Sequence, residues 1–166
     1  MKTLVSDMGG VLYCFDPSFD PTKHQENFDE AMKSLGLENA DSKSQLAGEW
    51  VAIGKGLLKI YPIKKGVDNL LSNLTKYQLI IVSTSLIKTS ELILNKIGLK
   101  NKARKIVDMS DYGSKKDKEA WKRVFNQLEN VDIIVEDSEK NLKAASQAAE
   151  ELGFETKIYK DISLLF

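Results

Sequence analysis

At 166 residues the chain fits one ordinary domain with a small insertion, not two full cores. Lys plus Arg equals Asp plus Glu at 24 each, so no net field draws nucleic acid or an anionic membrane surface. A hydrophobic fraction of 42% excludes a disordered tail-like chain, and no apolar run approaches the roughly 20 residues that span a bilayer.

The opening stretch, MKTLVSDMGG, turns acidic too soon for a signal peptide. A single cysteine, Cys14, excludes an internal disulfide and fits a reducing cytoplasm. Cys14 itself reads as a small packing residue.

The first predicted strand, TLVSD (Thr3–Asp7), stops on an acid and is followed after Met8 by two glycines, Gly9 and Gly10. A long interval then reads mostly as helix, over 21–37 and 41–58. The lone His24, in PTKHQENF, lies at a polar helix start and is expected to be solvated. Trp50, Val51, Ile53 and Leu57 recur at helical spacing, which suits packing between the two helices or contact with a second copy. Gly54, Lys55, Gly56 and Pro62 then return the chain to the sheet.

From there strands and helices alternate: helix 66–77, strand Gln78–Ser83, helix 89–99, strand Lys105–Ser110, helix 117–129, strand Val131–Asp137, helix 141–153 and strand Phe154–Lys160. Alternation of this kind predicts an α/β chain: a doubly wound, Rossmann-like parallel sheet covered on both faces. Residues 1–14 and 60–166 are expected to form the core domain, with 15–59 a small helical cap inserted after the first strand.

Binding crevices in such sheets lie at the carboxyl ends of the strands, which directs attention to Asp7, Ser83, Ser110 and Asp137. An aspartate can attack a phosphate if the site supplies positive charge. A hard divalent cation, Mg²⁺, held by Asp7, Asp137 and the backbone carbonyl of Gly9, would do so, with Glu136 adding charge just outside its ligands. Ser83 is placed to hold a phosphate oxygen, and Lys115 or Lys116 in GSKKDKEAW to neutralise charge at Asp7. Gly9 and Gly10 allow a sharp turn and a close approach to phosphate. Each residue also has a structural alternative: the acids and Ser83 as helix caps, the lysines as a solvated helix start.

The four segments LVSDMGGVL, LIIVSTS, YGSKKDKEAW and IIVEDSEKNLKAA, in this order, resemble the motifs of the haloacid dehalogenase (HAD) superfamily, particularly its small phosphatases. The resemblance covers nearly the whole chain outside the insertion. It implies a HAD-like fold with the first strand central, a flap over 11–16, and a helical cap. It also implies Mg²⁺-dependent hydrolysis of a phosphomonoester through an aspartyl-phosphate on Asp7, with Lys115 and Ser83 as catalytic partners. Gly9, Gly10, Thr84, Ser83 and Lys115 would bind substrate, and Asp7, Gly9 and Asp137 the metal. Lys116 and Lys118 replace common prolines, and Asn141 stands where a second acid is frequent.

The main departure is Gly9, where most family phosphatases carry an aspartate that protonates the leaving oxygen. Losing general acid–base help is expected to slow turnover by about 10²–10⁴-fold without abolishing phosphoryl transfer. Water or a nearby group such as Asp16 could compensate. The alternatives are a catalytically degenerate binding or regulatory protein, or a dehalogenase-type hydrolase, for which VLYCFDPSF lacks the expected flap arginine. The expected substrate is a small phosphorylated metabolite or, given so short a cap, a larger phospho-substrate; the expected state is a monomer or homodimer.

Overall fold

In a computed structural model describing residues 1–165, the central strand is β1 (Lys2–Ser6). A small antiparallel ribbon joins β2 (Tyr13–Cys14) to β3 (Tyr61–Pro62). β1 belongs with β4 (Tyr77–Ser83), β5 (Ala103–Asp108), β6 (Ile133–Val135) and β7 (Lys157–Tyr159) to one parallel sheet. The order β5-β4-β1-β6-β7 makes the sheet doubly wound, with strand order reversing beside β1.

Successive side chains on a strand point to opposite faces, and the two apolar clusters divide accordingly. Leu4, Leu79, Ile81, Ile133 and Val135 lie in one; Val5, Ile80, Val82 and Ile134 lie in the other. Helices α3 (Lys64–Asn73) and α4 (Ile87–Lys96) cover the first through Val67, Leu70, Ile93 and Leu94. Helices α5 (Lys118–Phe125) and α6 (Glu139–Glu151) cover the second through Trp121, Val124, Phe125 and Leu142. The alanines Ala144, Ala145, Ala148 and Ala149 keep that face of α6 low, which suits its contact with α5.

Between β2 and β3 stand α1 (Pro21–Ser34) and α2 (Ser42–Gly54). Asp20 caps α1 by accepting from the amides of Thr22 and Lys23, with Pro21 at the first helical position; Asp41 caps α2 through the Ser44 amide. Ala31, Met32, Ala52 and Ile53 carry these helices into the first cluster. Of the helically spaced set Trp50, Val51, Ile53 and Leu57 only Ile53 is buried. Trp50 and Leu57 are exposed, and the Lys88 ammonium lies 4.5 Å from the Trp50 ring centre. Among the described residues no helix is long and apolar enough to cross a membrane.

Register sets the site. Ser6 pairs with Ile81 on one side and Val135 on the other, and the Asp7 amide donates to the Val135 carbonyl at 2.9 Å. Asp7, Ser83 and the Glu136–Asp137 pair therefore emerge along one edge. Ser110 does not join them: β5 ends at Asp108, whose carboxylate accepts from the Ser110 amide and hydroxyl at 3.0 and 2.6 Å. Met109 is buried in the second cluster, which makes the sequence look like strand beyond the point where the chain turns.

Candidate active site

Lys115 joins distant segments. Its ammonium donates to Asp7 Oδ1 at 2.6 Å and to Glu136 Oε2 at 3.0 Å, and the residue is only 6% exposed. The loop carrying it is anchored from α5, where the Trp121 indole N–H donates to the Lys115 carbonyl at 2.7 Å. Of the two candidate lysines, the structure brings in Lys115; Lys116 is exposed. Glu136 was expected as outer charge around a metal, and its observed bonds run to the Lys115 ammonium and the Ser138 amide.

One carboxylate oxygen from each of Asp7, Glu136 and Asp137 lies within 4.8 Å of the others, and one ammonium faces the group. Burial and crowded negative charge both act on protonation here. Burial, then Asp7, pushes Glu136 up to about 8, with Lys115 opposing. The same two causes raise Asp137. Burial alone would pull Lys115 down, but Asp7 and Glu136 overcome it and hold the ammonium charged. Closely spaced oxygen donors with more negative charge than the local lysine neutralises fit a hard divalent cation such as Mg²⁺.

The adjacent glycines differ in kind. Gly10 adopts φ 76°, and a Cβ there would lie 2.1 Å from Asp137 Oδ2, so only glycine fits without moving that acid. At Gly9 a Cβ would meet only ordinary contacts, the Tyr13 hydroxyl at 3.7 Å and His24 Nε2 at 3.9 Å. Sterics therefore do not require glycine at position 9.

The acids and Lys115 face a cavity of about 370 Å³ between the sheet edge and the two cap helices. Ser83, Thr84 and Asn141 line it, and the Ser83 hydroxyl oxygen accepts from the Ser85 amide at 3.1 Å. The residue pattern did not single out Glu49 and Ser85. Ser85 donates to Glu49 Oε1 at 2.6 Å, tying α2 to the loop after β4. Burial raises the Glu49 carboxyl, with the Ser85 bond opposing. The signal was present as helical spacing, since Leu46 and Glu49 both line the cavity one turn apart.

His24 is half-buried rather than solvated. Its ring stacks on Phe15 at 4.6 Å, its Nδ1 accepts from the Phe15 amide at 2.8 Å, and it lines the cavity. Asp16 is committed elsewhere. It accepts from the Ser18 hydroxyl and from the Ser18 and Asp20 amides, which hold its carboxyl low, and it does not line the cavity.

A doubly wound sheet with this strand order, this cap insertion and acids at these strand ends is the HAD-like fold. The UTR4 protein of Saccharomyces cerevisiae is similar at a TM-score of 0.61 and 13% identity, covering 97% of this chain and 98% of that one. L-2-haloacid dehalogenase of Xanthobacter autotrophicus, with chloropropionic acid covalently bound, is similar at 0.61 and 12%, covering 94% and 76%. A mutant of the HAD-family enzyme BT-2542 of Bacteroides thetaiotaomicron, in complex with magnesium and inorganic phosphate, is similar at 0.59 and 20%, covering 96% and 94%. No protein-family model matches the sequence, nor does any curated protein.

Two outcomes follow from this geometry. Gly10→Ala combines left-handed strain of about 1–2 kcal/mol with displacement of Asp137. It should lower the thermal unfolding midpoint measurably, whereas Gly9→Ala should not. Glu136 binds a proton in the folded state that the unfolded chain, with a value of about 4.3, has released. The resulting stability is fully present below about 4.3 and is lost as pH rises through about 8. Thermal unfolding without metal should therefore show stability falling between about pH 5 and pH 8, and Glu136→Gln should flatten that slope.

Proposed function

We propose that this protein is a Mg²⁺-dependent phosphomonoester hydrolase acting through a phosphorylated Asp7. The observation that carries the reading is the Lys115 bridge between Asp7 and Glu136, set beside Asp137 where the sheet order reverses. Asp7, Asp137 and the Gly9 backbone carbonyl would hold the cation. When bound, such an ion offsets phosphate charge and lets an anionic nucleophile approach.

A carboxylate oxygen of Asp7 forms a bond to phosphorus while the bond from phosphorus to the alcohol oxygen breaks. Water then cleaves the aspartyl-phosphate, releasing inorganic phosphate and restoring Asp7. Lys115 holds Asp7 in place at 2.6 Å, and its charge faces the transferring group. Ser83, Thr84 and the backbone at Gly9 and Gly10 are the phosphate-oxygen partners. Asn141 borders the same space on the first turn of α6.

The cavity volume suits a small metabolite. Its cap side presents Phe19, Phe28, Leu46 and the carboxyl of Glu49, and Lys115 is its sole lysine or arginine among the described residues. A second anionic group on the substrate would face Glu49 with no cation of its own. The reading therefore favours monophosphates of uncharged alcohols over phosphorylated acids. The lack of a lining arginine disfavours dehalogenation, and the bare Gly9 is what favours a non-catalytic binding protein.

Hydrolysis of p-nitrophenyl phosphate separates these readings, because its leaving group needs little help. Turnover should require Mg²⁺, fall to background in Asp7→Asn, and drop by about 10²–10³-fold in Lys115→Met. Absence of turnover at every Mg²⁺ concentration would favour the binding-protein reading. Among natural-type esters, kcat/KM for glycerol phosphate should exceed that for phosphoglycolate by at least tenfold, and Glu49→Gln should narrow the gap.

A further inference from the structure

The fold raises a chemical question at residue 9. A phosphoryl transfer from a poor leaving group develops negative charge on the departing oxygen, and Gly9 has no side chain to meet it. Two side chains border that space instead. A Cβ at residue 9 would point at the Tyr13 hydroxyl, 3.7 Å away, and at His24 Nε2, 3.9 Å away. Both residues line the cavity with Asp7 and Lys115.

Each presents a hydrogen-bond donor. Because His24 Nδ1 accepts the Phe15 amide N–H at 2.8 Å, that nitrogen is unprotonated and the imidazole proton sits on Nε2. Stacking on Phe15, with the rings 8° from parallel, fixes the direction in which Nε2–H points. Tyr13 is 4% exposed, yet no described group hydrogen-bonds to its hydroxyl. The hydroxyl opens into the cavity, where it is free to donate to a ligand oxygen.

We propose that Tyr13 and His24 together take over the space and the task of the side chain that residue 9 lacks, donating hydrogen bonds from Oη and Nε2–H to the leaving-group oxygen. The inference rests on the hydrolase reading above. As the phosphorus–oxygen bond breaks, its electron pair passes to the alcohol oxygen, which takes a proton from water. The hydroxide left behind attacks the phosphorus of the aspartyl-phosphate. Ester plus water thus gives alcohol plus inorganic phosphate, and neither side chain changes protonation state. Burial supports this neutral role. It pushes the Tyr13 hydroxyl well up, with Glu49 and Asp7 adding, and pulls His24 down, with Asp7 opposing. A neutral imidazole acting as a donor at a developing oxyanion has precedent as chemistry, and fixed donors at such a position are worth about 10²–10³-fold in rate.

The test compares two esters on the Mg²⁺-loaded protein: p-nitrophenyl phosphate, whose leaving group is good, and glycerol 2-phosphate, whose leaving group is poor. Tyr13→Phe removes only the hydroxyl; His24→Asn keeps an acceptor for the Phe15 amide but has nothing at the Nε2 position. In each variant kcat on glycerol 2-phosphate should fall at least tenfold more than kcat on p-nitrophenyl phosphate. Adding Gly9→Asp to His24→Asn should recover much of that selective loss. Equal losses on both esters, or none, would overturn the inference and leave the hydrolase reading standing. No wild-type turnover of either ester would remove both. One readout needs no turnover: His24 is the protein's single histidine, so its nitrogen-15 spectrum is unambiguous. It should report the Nε2–H tautomer, and the Nε2 signal should move when inorganic phosphate is added with Mg²⁺. An Nδ1–H tautomer would refute the proposal.

Discussion

A lysine ammonium buried to 6% exposure is costly unless its charge is answered, and here Asp7 and Glu136 answer it from two different strand ends. The same charge holds two acids close that would otherwise repel each other. Removing it would leave Glu136, at 1% exposure, unpaired beside Asp7. Lys115 is also fastened from behind by Trp121, whose ring belongs to the cluster under α5 and α6. Packing on one face of the sheet is thereby coupled to charge placement at its edge.

The fold and the strand-end residues were legible because parallel strands are buried on both faces and read as unbroken apolar runs. A polar residue closing such a run, as at Asp7, Ser83 and Asp137, marks the sheet edge. The reading overran at β5 because Met109 is apolar for reasons of burial after the strand has ended. His24 and Glu49 stayed hidden for another reason. Each sits on a helix whose local sequence is polar or mixed, and each owes its role to a partner supplied by tertiary folding: the Phe15 amide for one, the Ser85 hydroxyl for the other. Single-chain periodicity carries no record of such partners. Likewise, Glu136 reads from sequence only as charge beside Asp137, and its bond to Lys115 comes from a loop 21 residues away.

Position 9 shows how backbone economy and chemistry trade places. With no side chain there, the aromatic groups of the flap and of α1 come up to the space, and Tyr13, Phe15 and His24 form a connected ring cluster along it. Gly10, by contrast, is fixed by its contact with Asp137. Of two neighbouring glycines, then, one is required by sterics and the other is not.

The cap helices do not rest on the sheet domain as a detachable cover. Ala31, Met32, Ala52 and Ile53 share a continuous apolar cluster with Leu4, Leu12 and Phe15, and Glu49 bonds across to Ser85. Lid and platform are therefore parts of one cooperative unit. Excising the insertion would strip cover from the sheet's own interior, and wide hinge opening would draw on the free energy of folding itself, so access to the cavity falls to rearrangements of its rim.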